Sequence, residues 1–475
     1  MIHKYYLNGF YILLDINSGA VHVVDKIIFD ILDVISLPPR ETFPDYILNN
    51  EKLKKYNKQD IIDGYNEILY LKKNGQLFSY DQYEKFVSGQ FKMPLKAMCL
   101  NVAHDCNLRC KYCFASTGDF GGNKRCLMPL EVGRKAIDFL IEKSDGRKNL
   151  EVDFFGGEPL MNFDVVKEII KYARQQEKLH NKNFRFTITT NGILLNNENI
   201  DFINKEMSNV VLSLDGRKEI NDHMRKTYTG EGSYDIIVDK FKDLVKKRNH
   251  ENYYIRGTFT KNNLDFVNDI KHFSELGFDQ ISVEPVVTDL NNDYAIKDED
   301  LPLIFDEYEK LANEMIRRIK IKNEKIRNNE DVSKIANEDK PFNFFHFMID
   351  LDEGPCVLKR LRGCGSGNEY VAVTPEGDIY PCHQFVGKAD WKMGSVIDKS
   401  FDMAIKKTFA DTNIYTKPDC KDCLAKFFCS GGCSANNLTY AGSLNKPYKL
   451  SCEMMKKRLE CAIMIRVFEK ELLKS

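Results

Sequence analysis

Between about residues 95 and 290 the chain alternates short apolar runs with stretches whose apolar side chains recur every three or four positions. The runs predict six strands at 95–102, 150–155, 184–190, 210–214, 253–260 and 280–287. The spaced stretches predict helices near 130–144, 163–178, 198–206, 235–248 and 264–276. Strand–helix alternation of this kind argues for βα units and a parallel sheet.

The flanking regions read differently. Residues 5–15 and 20–24 alternate with period two around the turn signal Asn17-Ser18-Gly19, which predicts a hairpin. Helical spacing follows, weakly over 26–35 and clearly through Ile61, Ile62, Tyr65, Ile68, Leu69 and Leu71, and Gly75 closes it. Strands followed by short helices suggest a small module like a winged helix-turn-helix. Its last helix carries Asp60, Asp63, Glu67, Lys72 and Lys73, so no basic face is offered to DNA. Residues 301–350 are charged and amphipathic and read as a helical bridge between domains.

Composition narrows the class. The 475 residues are 43% hydrophobic, and no apolar run approaches the length of a membrane span. Met1-Ile-His-Lys-Tyr-Tyr-Leu lacks the apolar core and cleavage site of a secretory signal, so a cytoplasmic location is expected. The net charge of −1, with both signs interspersed, provides no general field for nucleic acid or an anionic membrane, and neither is expected as a partner. Fourteen cysteines in a reducing compartment point to metal ligation or redox work rather than a disulfide framework.

Two cysteine patterns carry the chemistry. Cys106, Cys110 and Cys113 have the x3, x2 spacing that supplies three thiolates to a four-iron cluster and leaves one iron without a protein ligand. They follow the first predicted strand of the 95–290 region. Gly156-Gly157-Glu158-Pro159 follows the second, Asn191-Gly192 the third, and Ser213, Asp215 and Gly216 end the fourth. In a barrel of βα units those ends converge on one mouth. Arg256, Thr258 and Glu284 face the same mouth by strand position. Glycines at 156 and 157 permit close backbone approach to a ligand, and Glu158 adds a carboxylate suited to an ammonium group.

The second pattern runs from Cys364 through Gly377 to Cys382, then Cys420-x2-Cys423-x5-Cys429-x3-Cys433, and finally Cys452. Its inner CxxC pair also suits a structural zinc ribbon, yet seven ordered cysteines exceed one tetrahedral site. Cys99, Cys126 and Cys461 match neither pattern; Cys99 in a strand and Cys461 in a helix read as small buried hydrophobes.

The first pattern together with Gly156 to Pro159 resembles the radical S-adenosylmethionine (SAM) enzymes. That resemblance implies a partial (β/α)6 TIM-type barrel, α/β in class, in which Cys106, Cys110 and Cys113 hold a [4Fe-4S] cluster and Tyr112 packs over it. Gly156, Gly157 and Glu158 would meet the methionyl amine. Ser213 and Arg225 are candidates for the methionyl carboxylate or ribose, and Arg256, Thr258 and Glu284 for cofactor or substrate. In that family the reduced cluster cleaves SAM to a 5′-deoxyadenosyl radical, with electrons from an external low-potential donor.

The second pattern resembles the SPASM domain of peptide-modifying radical enzymes, which holds two auxiliary [4Fe-4S] clusters. Cys420, Cys423, Cys429 and Cys452 would then take the outer cluster, and Cys364, Cys382 and Cys433 the inner one. Cys356 either closes the inner site or leaves an iron open to a substrate thiol. The implied division is 1–85 for precursor-peptide recognition, 95–300 for the barrel, 301–350 for the bridge and 351–475 for SPASM.

Taken whole, with Leu7-Asn8-Gly9, Asn17 to His22, Phe342 to Phe347 and Tyr380 to Phe385, the chain resembles the maturases of six-cysteine clostridial peptides, a sactipeptide-synthase type. This implies a cysteine-rich, ribosomally made precursor whose leader adds to an edge of the N-terminal sheet. Its cysteine sulfur would be joined to an acceptor α-carbon, the surplus electron passing to an auxiliary cluster. The competing resemblance is to anaerobic sulfatase maturases, which form formylglycine. These usually carry an aspartate base after the equivalent of Cys382, where this chain has His383, a candidate base or a domain-interface residue.

Overall fold

The computed structural model describes residues 1–87, 93–122, 124–351 and 360–474. Cys356 lies outside them. The N-terminal sheet has three antiparallel strands in the order β1 (Ile2–Leu7), β2 (Phe10–Asp15) and β3 (Val21–Val24). The run expected as one strand over 5–15 is therefore two. Asn8 and Gly9 both take positive φ, 47° and 85°, which makes the tight two-residue turn that joins twisted antiparallel strands. Helices Lys26–Ile31 and Lys58–Lys73 cover one face, and Asn57 caps the second by accepting from the Asp60 N–H at 2.9 Å.

That sheet is buried on both sides. Leu13 and Val24 join Ile28, Ile31, Ile61 and Ile68 in a local core, while Leu7, Ile12, Leu14 and Ile16 belong to the main core of the molecule. The long helix Lys449–Lys474 lies against β1, where Glu460 meets His3 Nε2 at 2.9 Å and its carbonyl accepts from Tyr5 Oη at 3.1 Å.

Strand β4 (Ala97–Ala103) opens the central sheet and is buried along its whole length, as a strand covered on both faces must be. The cluster loop then contributes the short β5 (Leu108–Cys110). The other parallel strands are β6 (Asn149–Gly156), β7 (Asn183–Thr190), β8 (Asn209–Ser213), β10 (Tyr253–Phe259) and β11 (Gln280–Pro285), with β9 (Arg225–Thr227) between β8 and β10 in the chain. Their order in space, β4-β6-β7-β8-β10-β11, is their order in sequence. Helices Leu130–Lys143, Phe163–His180, Asn197–Glu206, Tyr234–Lys247 and Phe266–Glu275 supply the crossovers, at the positions the apolar spacing predicts.

The barrel stays open. Beyond β11 lies β12 (Asn343–Phe344), and beyond β4 the sheet runs on through β13 (Tyr370–Val373), β14 (Asp378–Tyr380), β15 (Gly394–Ser395) and β16 (Ser400–Phe401). Strand β13 is parallel to β4, with Tyr370 opposite Ala97, so the C-terminal region extends the barrel sheet. Helix Leu301–Arg327 packs on Lys449–Lys474, which thereby touches the N-terminal sheet, the bridge and the C-terminal region. No helix among the described residues is long and apolar enough to cross a membrane.

Candidate active site

The carboxyl ends of the parallel strands enclose a cavity of about 260 Å³. Cys106, Cys110, Cys113, Tyr112, Gly156, Gly157, Glu158, Ser213, Arg225, Arg256, Thr258, Glu284 and His383 all line it. Residues separated by up to 277 positions in sequence thus meet because every βα unit delivers its loop to the same end of the sheet.

The cluster loop is held by more than its own turns. Strand β5 pairs antiparallel with β9, placing Cys110 opposite Arg225. Gly156 and Gly157 serve the same packing: a Cβ on either would lie 2.2 Å from the Ala103 carbonyl oxygen or 2.1 Å from that of Asp105. Backbone N–H groups of the same turn support the fit, Gly157 donating to Ala103 O at 2.8 Å and Glu158 to Asp105 O at 2.9 Å. The glycines thus seat β6 against the cluster loop, a role the sequence reading assigned to ligand approach.

Glu158 is buried, with both carboxylate oxygens engaged. One accepts from Thr190 Oγ1 at 2.7 Å and the Leu160 N–H at 3.0 Å, and the other from the Asn191 N–H at 2.8 Å. Burial nonetheless pushes its pKa up to about 7, which three hydrogen bonds from neutral donors only partly oppose. A carboxyl so placed favours a cationic neighbour in the cavity.

Asp215, at the end of β8, organises the opposite wall and was not singled out as a site residue from sequence. It is fully buried, accepts from Tyr112 Oη at 2.6 and 2.8 Å and from the Thr258 N–H at 2.9 Å, and pairs with Arg225 at 3.0 Å. The Arg225 guanidinium also lies 5.5 Å from the Tyr112 ring centroid. Its Nε, although buried, has no hydrogen-bond partner among the described residues. An unpaired donor there fits an anionic ligand group.

Farther along the wall Arg256 and Glu284 pair at 3.0 Å. Burial alone would raise the Glu284 carboxyl, yet Arg256, His346 and Arg458 outweigh it and hold it below its usual value. His383 packs its ring on Phe155 and Phe114, with centroids at 5.1 and 5.4 Å, and its Nδ1 lies 3.4 Å from Tyr370 Oη. Burial pushes this imidazole down to about 4, so near neutrality it is uncharged.

The cysteines of the second pattern gather in two groups. Cys364, Cys382 and Cys433 interact with one another beside the cavity, where His383 and Asn436 form part of its wall. Cys420, Cys423, Cys429 and Cys452 line a separate cavity of about 630 Å³ together with Met1, Ile2 and His3. Burial pushes the thiols of Cys106, Cys110, Cys382, Cys420 and Cys452 up to about 12. Thiols in such surroundings release their protons to a metal centre rather than to water, which fits cluster ligation. Cys99 and Cys461 are buried in β4 and in Lys449–Lys474, outside both groups.

Comparison with known families agrees with this arrangement. Residues 100–283 match the radical SAM superfamily model, and residues 364–424 match SPASM, an iron–sulfur cluster-binding domain. The chain carries a radical SAM domain followed by a SPASM domain. Over 355 residues it is 25% identical to the cysteine-type anaerobic sulfatase-maturating enzyme of Clostridium novyi (strain NT), covering 70% of this chain and 86% of that protein. It is 26% identical over 284 residues to the radical SAM cyclopropyl synthase TigE of Paramaledivibacter caminithermalis, covering 56% of this chain and 58% of TigE.

Two solved structures share the radical SAM–SPASM fold. Native anSMEcpe with bound AdoMet and Cp18Cys peptide superposes with a TM-score of 0.62 at 21% identity, covering 79% of this chain and 99% of that one. Streptococcus suis SuiB bound to S-adenosylmethionine gives 0.50 at 17% identity, covering 95% and 98%.

Proposed function

We propose that this radical SAM enzyme matures a cysteine-rich, ribosomally made precursor peptide by joining a cysteine sulfur to the α-carbon of an acceptor residue. The observation that carries the reading is the position of the cavity between two cysteine groups. The Cys106–Cys113 loop forms one wall, and the other contains His383 and Asn436, each within three residues of an inner-group cysteine, Cys382 and Cys433. Thioether formation removes one hydrogen atom from the α-carbon, one proton from the thiol and one electron from the resulting pair. A substrate in this cavity has a radical source on one side and an electron acceptor on the other.

On this reading Cys106, Cys110 and Cys113 hold the SAM-cleaving cluster, Glu158 and the backbone around Gly156 and Gly157 accommodate the methionyl amine, and Arg225 takes the carboxylate. Three [4Fe-4S] clusters are proposed in all. Bound there, the cluster and SAM supply the radical that removes the α-hydrogen. Tyr112 and Asp215 keep the Arg225 guanidinium in place, and Phe114, Phe155 and neutral His383 give the substrate an apolar wall. Residues 1–85 bind the leader. Strands β1 and β3 are the edges of this sheet, and β1 lies against the helix Lys449–Lys474. Strand β3 has no outer strand partner among the described residues, and the Asp15 N–H donates to Ala20 O, so ladder alternation turns the Val21 and Val23 backbone groups outward. A peptide partner also accords with the Cp18Cys peptide bound in the anSMEcpe structure.

The sulfatase-maturase reading is favoured by the 25% identity to the Clostridium novyi enzyme. Against it stands His383, neutral and packed on aromatic rings, at the place where that family usually has its aspartate base. Anaerobic incubation of reconstituted enzyme with SAM, reductant and a cysteine-rich precursor separates the two. Loss of two hydrogens with one fewer alkylatable thiol is the thioether outcome, whereas an aldehyde that condenses with a hydrazide would assign the chain to formylglycine formation.

A further inference from the structure

We propose that His104, Cys126 and Glu376 form a binding site for a soft divalent transition-metal ion of the zinc class, separate from all three cysteine groups. His104 Nδ1, Cys126 Sγ and the Glu376 carboxylate lie within 4.8 Å of one another. Cys126 Sγ is 3.1 Å from Glu376 Oε1, and His104 Nδ1 is 3.9 Å from Oε2. The edges of a tetrahedral zinc site built from a thiolate, an imidazole and a carboxylate are about 3.3–3.8 Å, so small side-chain rotations suffice.

Three elements bring these residues together, each fixed by its own backbone bonds. His104 follows the last residue of β4, and its N–H donates to Cys126 O at 2.8 Å. Cys126 precedes the bridge between Leu127 and Ala103. Glu376 lies in the turn between β13 and β14, which the Gly377 N–H closes on Thr374 O at 2.9 Å. Nothing in the cluster motifs requires a ligand set here.

The surroundings have the features that such a site needs. His104 has 8% of its side chain exposed and packs its ring on Phe120, with centroids 4.7 Å apart. Its Nε2 lies 3.5 Å from the side chain of the fully buried Asn101. The Asn101 amide nitrogen faces the ring and its oxygen the Cys99 thiol; turning that amide over lets its oxygen accept Nε2–H and leaves Nδ1 for a metal, the usual support for a ligating histidine. Glu376 has 40% of its side chain exposed, which provides an entry path and room for water as fourth ligand. One thiolate and one carboxylate neutralise a divalent ion, and the pairing of sulfur with imidazole selects zinc over magnesium or calcium. A metal at this position pins the β13–β14 turn and the loop before Leu130–Lys143 to the end of β4, two residues from Cys106.

The test uses chelator-washed enzyme with its iron–sulfur clusters fully reconstituted, titrated with zinc and examined by metal analysis and zinc X-ray absorption. The expected result is one zinc per chain above full iron loading, with one sulfur and the remainder nitrogen or oxygen in its shell. Cys126→Ser and Glu376→Gln should lower bound zinc at least tenfold without changing iron content or the melting temperature in zinc-free buffer. Absence of zinc, a sulfur-rich shell indicating displaced cluster cysteines, or unchanged binding in Cys126→Ser would each overturn the assignment.

Discussion

Replacing Arg225 tests the cofactor side of the site in two separable ways. Asp215 is fully buried and pairs with Arg225 at 3.0 Å, so Arg225→Met leaves a buried carboxylate supported only by Tyr112, Thr258 and its neighbours. Stripping one partner from a buried pair costs about 3–5 kcal/mol, a large part of the stability of an ordinary domain. Arg225→Lys keeps the positive charge near Asp215 and loses the fork whose Nε has no partner among the described residues. If that donor meets the SAM carboxylate, its loss removes one charge-assisted hydrogen bond, about 1.5–3 kcal/mol, or roughly 10- to 150-fold in Kd. Calorimetric titration of reconstituted Arg225→Lys with SAM reads this directly, and thermal melting reads the fold. A well-folded Arg225→Lys enzyme whose SAM affinity stays within twofold of wild type refutes the role given to Arg225, and an Arg225→Met enzyme as stable as wild type refutes the structural pairing with Asp215.

Three further outcomes follow from other parts of the molecule. Gly157→Ala places a methyl group 2.1 Å from Asp105 O, a clash with backbone; it should cost about 1–3 kcal/mol and lower iron retention at the first cluster, read by melting and iron analysis. Asp153, on β6, has its carboxyl pushed up to about 6 from 3.8 by burial, so the folded state holds that proton more tightly than the unfolded chain. Its contribution to stability is full below about pH 4 and is lost as pH rises toward 6; Asp153→Asn should gain on wild type across that window by up to about 3 kcal/mol, measured by denaturant titration at each pH. Val23→Pro removes an outward-facing N–H from the free edge of β3 while sparing the bonds to β2; precursor affinity should fall at least tenfold with uncoupled deoxyadenosine formation unchanged, and unchanged affinity would move leader binding elsewhere.

The barrel was legible in the sequence because its strands bury an apolar residue at every second position, and β4 at every one, while each covering helix shows one apolar stripe. Strand β6 and helix Phe163–His180 are examples, and the loop residues after each strand fall at one mouth as the βα rule requires. What escaped was short or relational. Strands β5 and β9 have three residues each, too few for any period, yet their pairing sets Cys110 opposite Arg225. Asp215 stood out only as a strand-end residue, since its role depends on three partners up to 103 positions away. The Asn8-Gly9 turn carried its own signal, the dipeptide favoured in two-residue hairpins, but it sat inside an alternating run that reads as one strand. The extension of the barrel sheet by β13 was hidden because a four-residue strand after a long charged insertion gives no hint of which edge it joins.

The central claim is that hydrogen is taken from an acceptor α-carbon and replaced by sulfur. Its most direct test is a precursor peptide deuterated at the acceptor α-carbons, incubated anaerobically with the reconstituted enzyme, SAM and reductant, with both products analysed by mass spectrometry. The account expects deuterium in 5′-deoxyadenosine together with a peptide that has lost that deuterium at the acceptor and the free thiol of the cysteine linked to it. Deoxyadenosine free of deuterium, beside a peptide that keeps its α-deuterium and gains an aldehyde at a cysteine, would contradict it.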